Sequence, residues 1–370
     1  MRKSALFWLG LVVTVLVALG LVVLSSASEA NAIRLHGGDA YFFIKRQFAY
    51  LAAGVVIAVC VSLFDYRRWR DGVWLTWLFY AVVLVLLLLV FRYKEINGSQ
   101  RWIPIGPVHV QPSEFAKLAT VVVLSVWMDR LGWKVELFMK GAFWPSAIIG
   151  VLALPILFEP DFGSVMVVGM VGYLVMFVAG TRILHMLPFI LLGGGFAVFK
   201  VMTNANRMAR LSDPKALYQV QMALAAIGNG GEWGVGLGES MQKQLYLPEA
   251  HTDFVFAVGA EELGLLFSVG VLLLFIAFFA LSIYVARKSH DRFGRFLVVG
   301  MAFIVFFQAV FNLGVVCQAL PTKGMALPFF SYGGTNLLCT FFAVGTIMSV
   351  GIHTCRDERM ALARKVLSRA

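Results

Sequence analysis

The chain has 370 residues, of which 60% are hydrophobic and only 14% are charged. A soluble domain carries about 25% charged residues, so this composition excludes an ordinary soluble protein and indicates that lipid is the main solvent. The formal net charge is +11, but no basic helix stands apart from the apolar runs. We therefore assign the charge to membrane-flanking loops and expect no nucleic-acid partner. The four cysteines form no C-x-x-C pair, and we expect neither a disulfide nor a metal site from them.

Apolar runs predict an all-α, polytopic membrane protein with about ten transmembrane helices, since each helix needs about 20 mostly apolar residues. The first run follows Met1-Arg2-Lys3 and resembles a signal peptide, but it is too long for one and is expected to be retained. We expect the whole chain, 1–370, to form one transmembrane domain. The candidate spans are residues 5–26, 46–64, 72–91, 114–130, 142–158, 162–180, 183–202, 262–286, 295–317 and 334–354.

The distribution of Lys and Arg predicts that both termini lie in the cytoplasm. With the N-terminus inside and an even number of spans, 18 of the 31 basic residues fall in cytoplasmic segments, including the cluster at 356–369. The same arrangement puts the long connection 203–261, between helices 7 and 8, on the outer side. Its length and its glycine cluster at 228–238 predict a structured, functional extracytoplasmic loop.

A charged pair opens the fourth candidate span. Glu114 and Lys117 are three residues apart, so they share a helix face, and Pro112-Ser113 ahead of them favours a helix start. An ionisable residue within a span costs roughly 2.5–3.5 kcal/mol on insertion scales. Two interpretations stay open with equal weight, a structural ion pair and a polar hole in the bundle.

Carboxylates also flank two other spans on the outer side. Glu159-Pro160-Asp161 separates two spans, and its carboxylates could cap the next helix or hold a cation or a neighbouring loop, with capping slightly favoured. His251-Thr252-Asp253 abuts an apolar run, and partial desolvation raises the pKa of a carboxylate, which suits a general base. Spacing alone favours a helix cap at Thr252 or Asp253.

Two remaining outer segments carry cations and glycines. Arg101 follows an Asn-Gly turn signal and precedes Trp102, which by itself indicates a turn with an interfacial anchor. The loop before the last span contains Lys323, which could offer positive charge to a phosphate, and Ser331 beside two glycines. Ser240-Met241-Gln242-Lys243 matches the S-x-x-K pattern of penicillin-interacting serines, but its companion motifs are absent and we treat the match as coincidence.

Taken together, these segments resemble the SEDS family of bacterial wall synthesis, which comprises the RodA, FtsW and SpoVE proteins. The matching blocks occur in the family's order over nearly the whole chain. Thr322 resembles the FtsW/SpoVE branch, because RodA proteins typically carry a hydrophobic residue there, while Thr335 stands where a serine is usual. The blocks are residues 98–103, 111–114 with Lys117, 159–163, 234–240, 246–254 and 320–334.

The resemblance implies a peptidoglycan glycosyltransferase that polymerises lipid II into β-1,4 glycan strands at the outer face of the cytoplasmic membrane, for cell division. The family's essential aspartate matches Asp253, which becomes the expected catalytic base. No cofactor is implied with certainty, although a divalent cation, Mg or Mn, could share the charge of the diphosphate. The expected substrate-binding residues are Arg101, Glu114, Lys117, His251, Lys323 and Ser331.

The resemblance also implies partners. A class B penicillin-binding protein, a transpeptidase, is expected to crosslink the product, with other divisome or elongasome membrane proteins nearby. Three alternatives stay open: a lipid II flippase, a RodA-type polymerase for lateral wall and cell shape, and a non-catalytic divisome scaffold. A flippase needs no catalytic carboxylate in an outer loop, so the role of Asp253 distinguishes the first alternative from the enzyme.

Overall fold

The computed structural model describes residues 3–35, 37–93, 100–106, 108–159, 161–202, 214–244, 247–320 and 324–368. These residues form a helical bundle, and the predicted all-α membrane fold is confirmed. Short 3-10 segments cover Val90–Arg92 and Gly132–Glu136, and a π-helical turn covers Phe138–Phe143. The α-helices are α1 Lys3–Leu35, α2 Phe42–Leu63, α3 Arg67–Asp71, α4 Val73–Leu89, α5 Pro112–Leu131, α6 Trp144–Phe158, α7 Phe162–Ala179, α8 Ile183–Met202, α9 Pro214–Gly230, α10 Val255–Lys288, α11 Arg292–Val316 and α12 Gly334–Leu367.

The number of spans is less sharply defined than the fold. Within the described ranges, eight helices are long and apolar enough to cross a membrane. Two predicted spans, 114–130 and 183–202, correspond to α5 and α8, which do not meet that criterion. Helix α5 carries Glu114 and Lys117, and it packs among α4, α7, α11 and α12, so protein and not lipid surrounds its polar groups. The count of ten stays a prediction.

The predicted loop 203–261 is wrong at its C-terminal boundary. Helix α10 already begins at Val255, so residues 255–261 are helical, and α9 occupies 214–230 of the same stretch. Residues 203–213 lie outside the described part of the chain. The adjacent carboxylates Glu261 and Glu262 indicate a boundary in the sequence because charge is unusual in a span, but both side chains are buried against polar partners inside the bundle.

A glycine-rich turn, residues 231–239, docks on a break in α10. At Gly264 the backbone leaves helical geometry (φ 73°, ψ −165°), which frees the helix's own hydrogen-bonding groups. The turn satisfies them: Val235 N–H donates to the Glu261 carbonyl (3.0 Å), and Leu265 N–H donates to the Gly231 carbonyl (2.9 Å). A Cβ at Gly234 or Gly264 would overlap backbone atoms, which explains the glycine cluster.

A small β-hairpin precedes α5 and was not predicted. Strands β1 (Ile103–Ile105) and β2 (Val108–Val110) pair antiparallel, with Ile103 opposite Val110. Thr335 near the start of α12 donates to the His109 carbonyl (3.3 Å) and accepts from the Gln111 N–H (3.2 Å). The hairpin therefore fixes the start of α5 beside the start of α12.

Candidate functional site

Two loops from distant parts of the sequence are hydrogen-bonded to each other at one end of the bundle. The Tyr332 N–H donates to the His251 carbonyl (3.0 Å), and the Ser331 hydroxyl donates to the Thr252 carbonyl (2.5 Å). Asn312, buried on α11, donates to both the Asp253 carbonyl (2.8 Å) and the Met325 carbonyl (2.6 Å). These bonds hold the segment 251–253 against the loop before α12.

The same two loops carry backbone strain. Glu249 (φ 56°) and Phe329 (φ 69°) adopt the left-handed conformation that residues with a side chain rarely take. The carbonyl of Phe329 packs so closely on Gly20 of α1 that a Cβ there would overlap it. Such strain persists where the surrounding structure enforces it, and it is common at functional sites.

The Asp253 carboxylate lies directly against the backbone of Gly324. A Cβ at position 324 would overlap Asp253 Oδ2, so a side chain larger than hydrogen cannot stand there without moving the carboxylate. Desolvation raises the pKa of Asp253 to about 6, and the charges of Glu249 and Asp161 add to the rise while Arg101 opposes it. The sequence predicted both the desolvation and its direction, and a carboxylate with this pKa is ionised at neutral pH yet still a competent proton acceptor.

Asp161 is a hub that joins three elements. Its carboxylate caps α7 by accepting from Ser164 N–H (3.2 Å), so the favoured capping interpretation is confirmed for Asp161, though not for Glu159. It also accepts from Gln111 Nε2 (3.1 Å) and Ser113 Oγ (3.2 Å) at the start of α5. Arg101 Nη1 lies 3.9 Å from Asp161 Oδ1. The guanidinium that the family resemblance named for substrate binding therefore lies beside Asp161.

Glu159 lies behind Asp161 and is fully buried. Neither of its carboxylate oxygens has a hydrogen-bond partner among the described residues. Desolvation raises the pKa of Glu159 to about 8, the charge of Asp161 adds to the rise, and Arg101 opposes it. The acid is therefore predominantly protonated at neutral pH.

The predicted pair Glu114 and Lys117 forms a closed contact within the bundle. Lys117 Nζ lies 2.6 Å from Glu114 Oε1, and Asn336 of α12 donates to Glu114 Oε2 (3.1 Å). Both charged side chains are buried. Of the two interpretations left open by the sequence, this geometry favours the structural ion pair, which ties α5 to α12.

The remaining predicted residues differ in their surroundings. The His251 ring packs on Phe43 with ring centroids 4.6 Å apart, and burial lowers its pKa. The Ser331 hydroxyl is buried and also accepts from the Leu327 N–H (2.8 Å), so its contacts are those of a loop-positioning residue. Lys323 lies outside the described residues. Substrate binding by these side chains stays a prediction.

The S-x-x-K match is part of the scaffold. The Ser240 hydroxyl donates to the Glu261 carboxylate, and Lys243 Nζ pairs with Glu262 Oε1 at 3.1 Å and bonds the Ser26 hydroxyl of α1 at 2.8 Å. Both side chains are buried. Because the serine is engaged and enclosed, these contacts agree with the interpretation of the match as coincidence.

Sequence reasoning missed Asn312 as the residue that joins the two loops. Its signal was available, because an amide in the middle of an apolar run calls for a partner inside the bundle. Gln47 of α2 follows Lys45 and Arg46 and gives no such signal, although its amide donates to the Ser331 carbonyl (3.2 Å). The described residues contain no group of three His, Cys, Asp or Glu side chains that could hold a metal ion. A divalent cation carried by a diphosphate stays a prediction.

The chain is similar to known proteins over nearly its whole length. Residues 6–356 match the family described as "Cell cycle protein", which groups FtsW, RodA and SpoVE. The chain is 36% identical to the probable peptidoglycan glycosyltransferase FtsW of Coxiella burnetii, covering 94% of this chain and 96% of that one. It is 38% identical to the protein of the same description from Thioalkalivibrio sulfidiphilus, covering 96% and 92%. These relatives support the FtsW side of the resemblance.

Two solved structures share the fold. One, described as "Structural coordination of polymerization and crosslinking by a peptidoglycan synthase complex", matches with a TM-score of 0.75 at 28% identity, covering 94% of this chain and 98% of that one. The other, the rod shape determining protein RodA of Thermus thermophilus, matches with a TM-score of 0.67 at 29% identity, covering 93% and 96%. The chain therefore belongs to the FtsW, RodA and SpoVE family of cell cycle proteins.

Proposed function

We propose that this chain is a peptidoglycan glycosyltransferase that polymerises lipid II into β-1,4 glycan strands, with Asp253 as the catalytic base. The relatives described as FtsW glycosyltransferases support the reaction class. The observation that carries the assignment of the base is the Asp253 carboxylate itself: it is desolvated, it lies against Gly324, and its backbone is held by Asn312.

The chemistry needs one base and a stabilised leaving group. A sugar hydroxyl is a poor nucleophile until its proton is removed, and Asp253 takes that proton as the oxygen attacks the anomeric carbon of the donor. The bond from that carbon to the diphosphate breaks at the same time, and the lipid diphosphate leaves with the electron pair. Displacement of an α-diphosphate inverts the centre and yields a β-link. The diphosphate leaves as an anion, so no general acid is required.

One cation and several helix N-termini near Asp253 are available to stabilise the departing diphosphate. Arg101 acts on the charges of both Asp253 and Asp161. The N-termini of α5, α7, α10 and α12 also meet at this end of the bundle, and helix N-termini favour anions. Lys323 is the second predicted cation for this role, although it lies outside the described residues. Lys117 is already paired with Glu114, and we assign it to the scaffold.

An apolar cleft beside the site suits the lipid part of the substrate. It has a volume of about 1110 Å³ and lies between α6, α7 and α8. Phe162, the residue after the Asp161 hub, lines the cleft together with Met166, Tyr173 and Phe189. A polyprenyl chain placed there would leave its diphosphate at the polar end, near Arg101.

The distribution of basic residues supports an outward-facing site. Arginines of α3 and of the start of α11 lie at the end of the bundle opposite Asp253. The positive-inside rule makes that end cytoplasmic, with both termini, and Asp253 extracytoplasmic.

A class B penicillin-binding protein is the proposed partner, because the glycan needs crosslinking. A neighbour of known structure comes from a peptidoglycan synthase complex that coordinates polymerization and crosslinking, which supports this assignment. The FtsW relatives favour a role in cell division over the lateral wall.

Purified lipid II tests the proposal. With the transpeptidase partner present, Asp253→Asn is expected to lower the polymerisation rate at least 100-fold, within the range of about 10²–10⁴ typical of general base catalysis. Asp39→Asn, which changes a partly exposed carboxylate paired with Lys45 at 3.0 Å, is the matched control and should polymerise normally. Full activity of Asp253→Asn would disprove the base assignment. Movement of labelled lipid across vesicles without any polymer would favour the flippase.

A further inference from the structure

Glu159 is a carboxyl group that the proposed reaction leaves without a role. It is completely buried, and neither oxygen has a hydrogen-bond partner among the described residues. A buried ionised carboxylate without a partner is costly, so such a group either stays protonated or meets a cation. Glu159 lies at the polar end of the bundle, two residues before the Asp161 hub, so its charge state affects the candidate site.

The local backbone disfavours a negative charge at Glu159. The residue is the C-cap of α6, and its N–H donates to the Pro155 carbonyl (3.0 Å). A helix C-terminus carries partial negative charge, which repels a carboxylate. Desolvation, the charge of Asp161 and the helix end therefore all favour the protonated form of Glu159. Among the described charged groups acting on Glu159, only Arg101 favours the ionised form.

Arg101 is shared among the acidic groups of the site. Its guanidinium lies 3.9 Å from Asp161 Oδ1, and its charge also acts on Asp253 and Glu159. Asp161 is fixed by hydrogen bonds from α5 and α7, so it cannot move away from a new charge. Ionisation of Glu159 would draw Arg101 toward α6 and add a negative charge where the diphosphate has to leave.

We infer that Glu159 is a positioning residue that must carry a proton, so that the charge of Arg101 stays available to Asp253 and to the departing diphosphate. This inference rests on the proposed function and adds a second titrating group to it. Loss of the Glu159 proton then sets the alkaline limit of activity, as protonation of Asp253 sets the acidic limit.

The pH profile of polymerisation distinguishes this role from a merely structural one. Wild-type activity should fall as the pH rises through about 8, to about a tenth of its plateau at pH 9, because one pH unit above a pKa leaves about a tenth of the group protonated. Glu159→Gln imitates the protonated acid, so it should keep activity within about twofold at pH 7 and lose the alkaline decline. Glu136→Gln, an exposed glutamate paired with Arg182, should leave the profile unchanged.

A second variant moves the alkaline limit the other way. Asp161→Asn removes the charge that raises the pKa of Glu159, so Glu159 should ionise at lower pH and the decline should begin earlier. This variant keeps the inference testable if Glu159→Gln fails to fold. An alkaline decline unchanged in both variants, or a large loss of activity at pH 7 in Glu159→Gln with an unchanged profile, would overturn it.

Infrared spectroscopy separates this inference from the proposed reaction, because it needs no substrate. The C=O stretch of a protonated carboxyl should be strong in the wild-type protein at pH 7, lose most of its intensity as the pH rises through about 8, and be much weaker at pH 7 in Glu159→Gln. If the band behaves in this way while Asp253→Asn polymerises normally, the base assignment fails and the protonated state of Glu159 stands. If the band is missing at pH 7, the inference fails.

Discussion

Two clusters of acidic residues differ in how many hydrogen bonds and cations their carboxylates receive. In the clasp cluster, Glu261 and Glu262 each accept at least two hydrogen bonds, and Lys243 supplies a cation; the other donors are Ser26, Asn229, Ser240 and Gln242. In the site cluster of Arg101, Glu159, Asp161 and Asp253, only Asp161 is similarly bonded. No described residue donates a hydrogen bond to the carboxylate of Glu159 or Asp253.

The difference separates scaffold from chemistry. Carboxylates that have hydrogen-bond partners hold elements together, as the clasp cluster holds α1, α10 and the glycine-rich turn. Carboxylates that are desolvated and left without donors have pKa values within reach of neutral pH, which proton transfer requires. The contrast predicts that loss of a partner in the clasp cluster lowers stability, whereas displacement of the Asp253 carboxylate in the site cluster lowers the rate in a folded protein.

The largest effect is expected from Lys243→Met. It leaves Glu262 buried without its cation, which costs about 3–5 kcal/mol when one partner of a buried pair is removed. The thermal midpoint in detergent should fall accordingly, while the rate per folded molecule stays near that of the wild type. The double variant Lys243→Met, Glu262→Gln removes the uncompensated charge and should recover most of the loss. A single variant as stable as the wild type would show that the clasp cluster is not a scaffold.

Gly324→Ala tests the site cluster, where we expect a loss of rate and little loss of stability. The added Cβ overlaps Asp253 Oδ2 and must displace the carboxylate. A misplacement of about 1 Å costs on the order of 100-fold in rate, equivalent to about 2.7 kcal/mol, while the thermal midpoint should change little. Gly270→Ala in α10 is the matched control, because a Cβ there meets nothing within 4 Å. Equal rates for the two variants would contradict the position assigned to Asp253.

Much of the scaffold follows from the sequence because apolar runs of helical length have few alternatives in lipid. The start of α10 was misjudged, since the partners of Glu261 and Glu262 come from residues 19 to 236 positions away. The hairpin was missed because two three-residue strands containing Pro104 give no periodic signal. Thr335 of α12 bonds the hairpin, a contact between residues far apart in the chain.

The candidate site, like the fold, was predicted from the sequence only in part. Local sequence predicted the desolvation of Asp253, because an apolar run follows it at once, but spacing alone favoured a cap and only the family resemblance assigned the base. The sharing of Arg101 among three carboxylates depends on tertiary packing between the hairpin, α6 and the segment before α10. The lack of a partner for Glu159 is likewise invisible in the sequence, where the residue resembles any other loop carboxylate.

Ser331→Ala tests whether Ser331 positions the loop or binds the substrate. The variant removes a hydroxyl that bonds both the Thr252 carbonyl and the Leu327 N–H, and stranding these groups should cost about 1–2 kcal/mol. If Ser331 positions the loop, the thermal midpoint and kcat fall together and KM for lipid II stays constant. A rise in KM at unchanged stability would instead support the predicted role in substrate binding. Ser25→Ala, which removes an exposed hydroxyl of α1, is the control.

Glu249→Gln is expected to have the smallest effect, and it acts through charge alone. Glu249 is exposed, and its charge contributes to the raised pKa of Asp253 after the larger contribution of desolvation. Polymerisation should fall as the pH drops through about 6 in the wild type, because Asp253 accepts a proton and ceases to be a base. Removing the neighbouring charge lowers the pKa of Asp253, so the acidic limb should shift to lower pH.

The dependence on ionic strength provides a check on this shift of the acidic limb in Glu249→Gln. The two charges interact through partly exposed space, so high ionic strength should shrink the difference between Glu249→Gln and the wild type. Glu239→Gln, an exposed glutamate of the glycine-rich turn, should leave the limb in place. A limb that moves to higher pH in Glu249→Gln would have the wrong sign for loss of a like charge, and the acidic limb would then have to be assigned to a group other than Asp253.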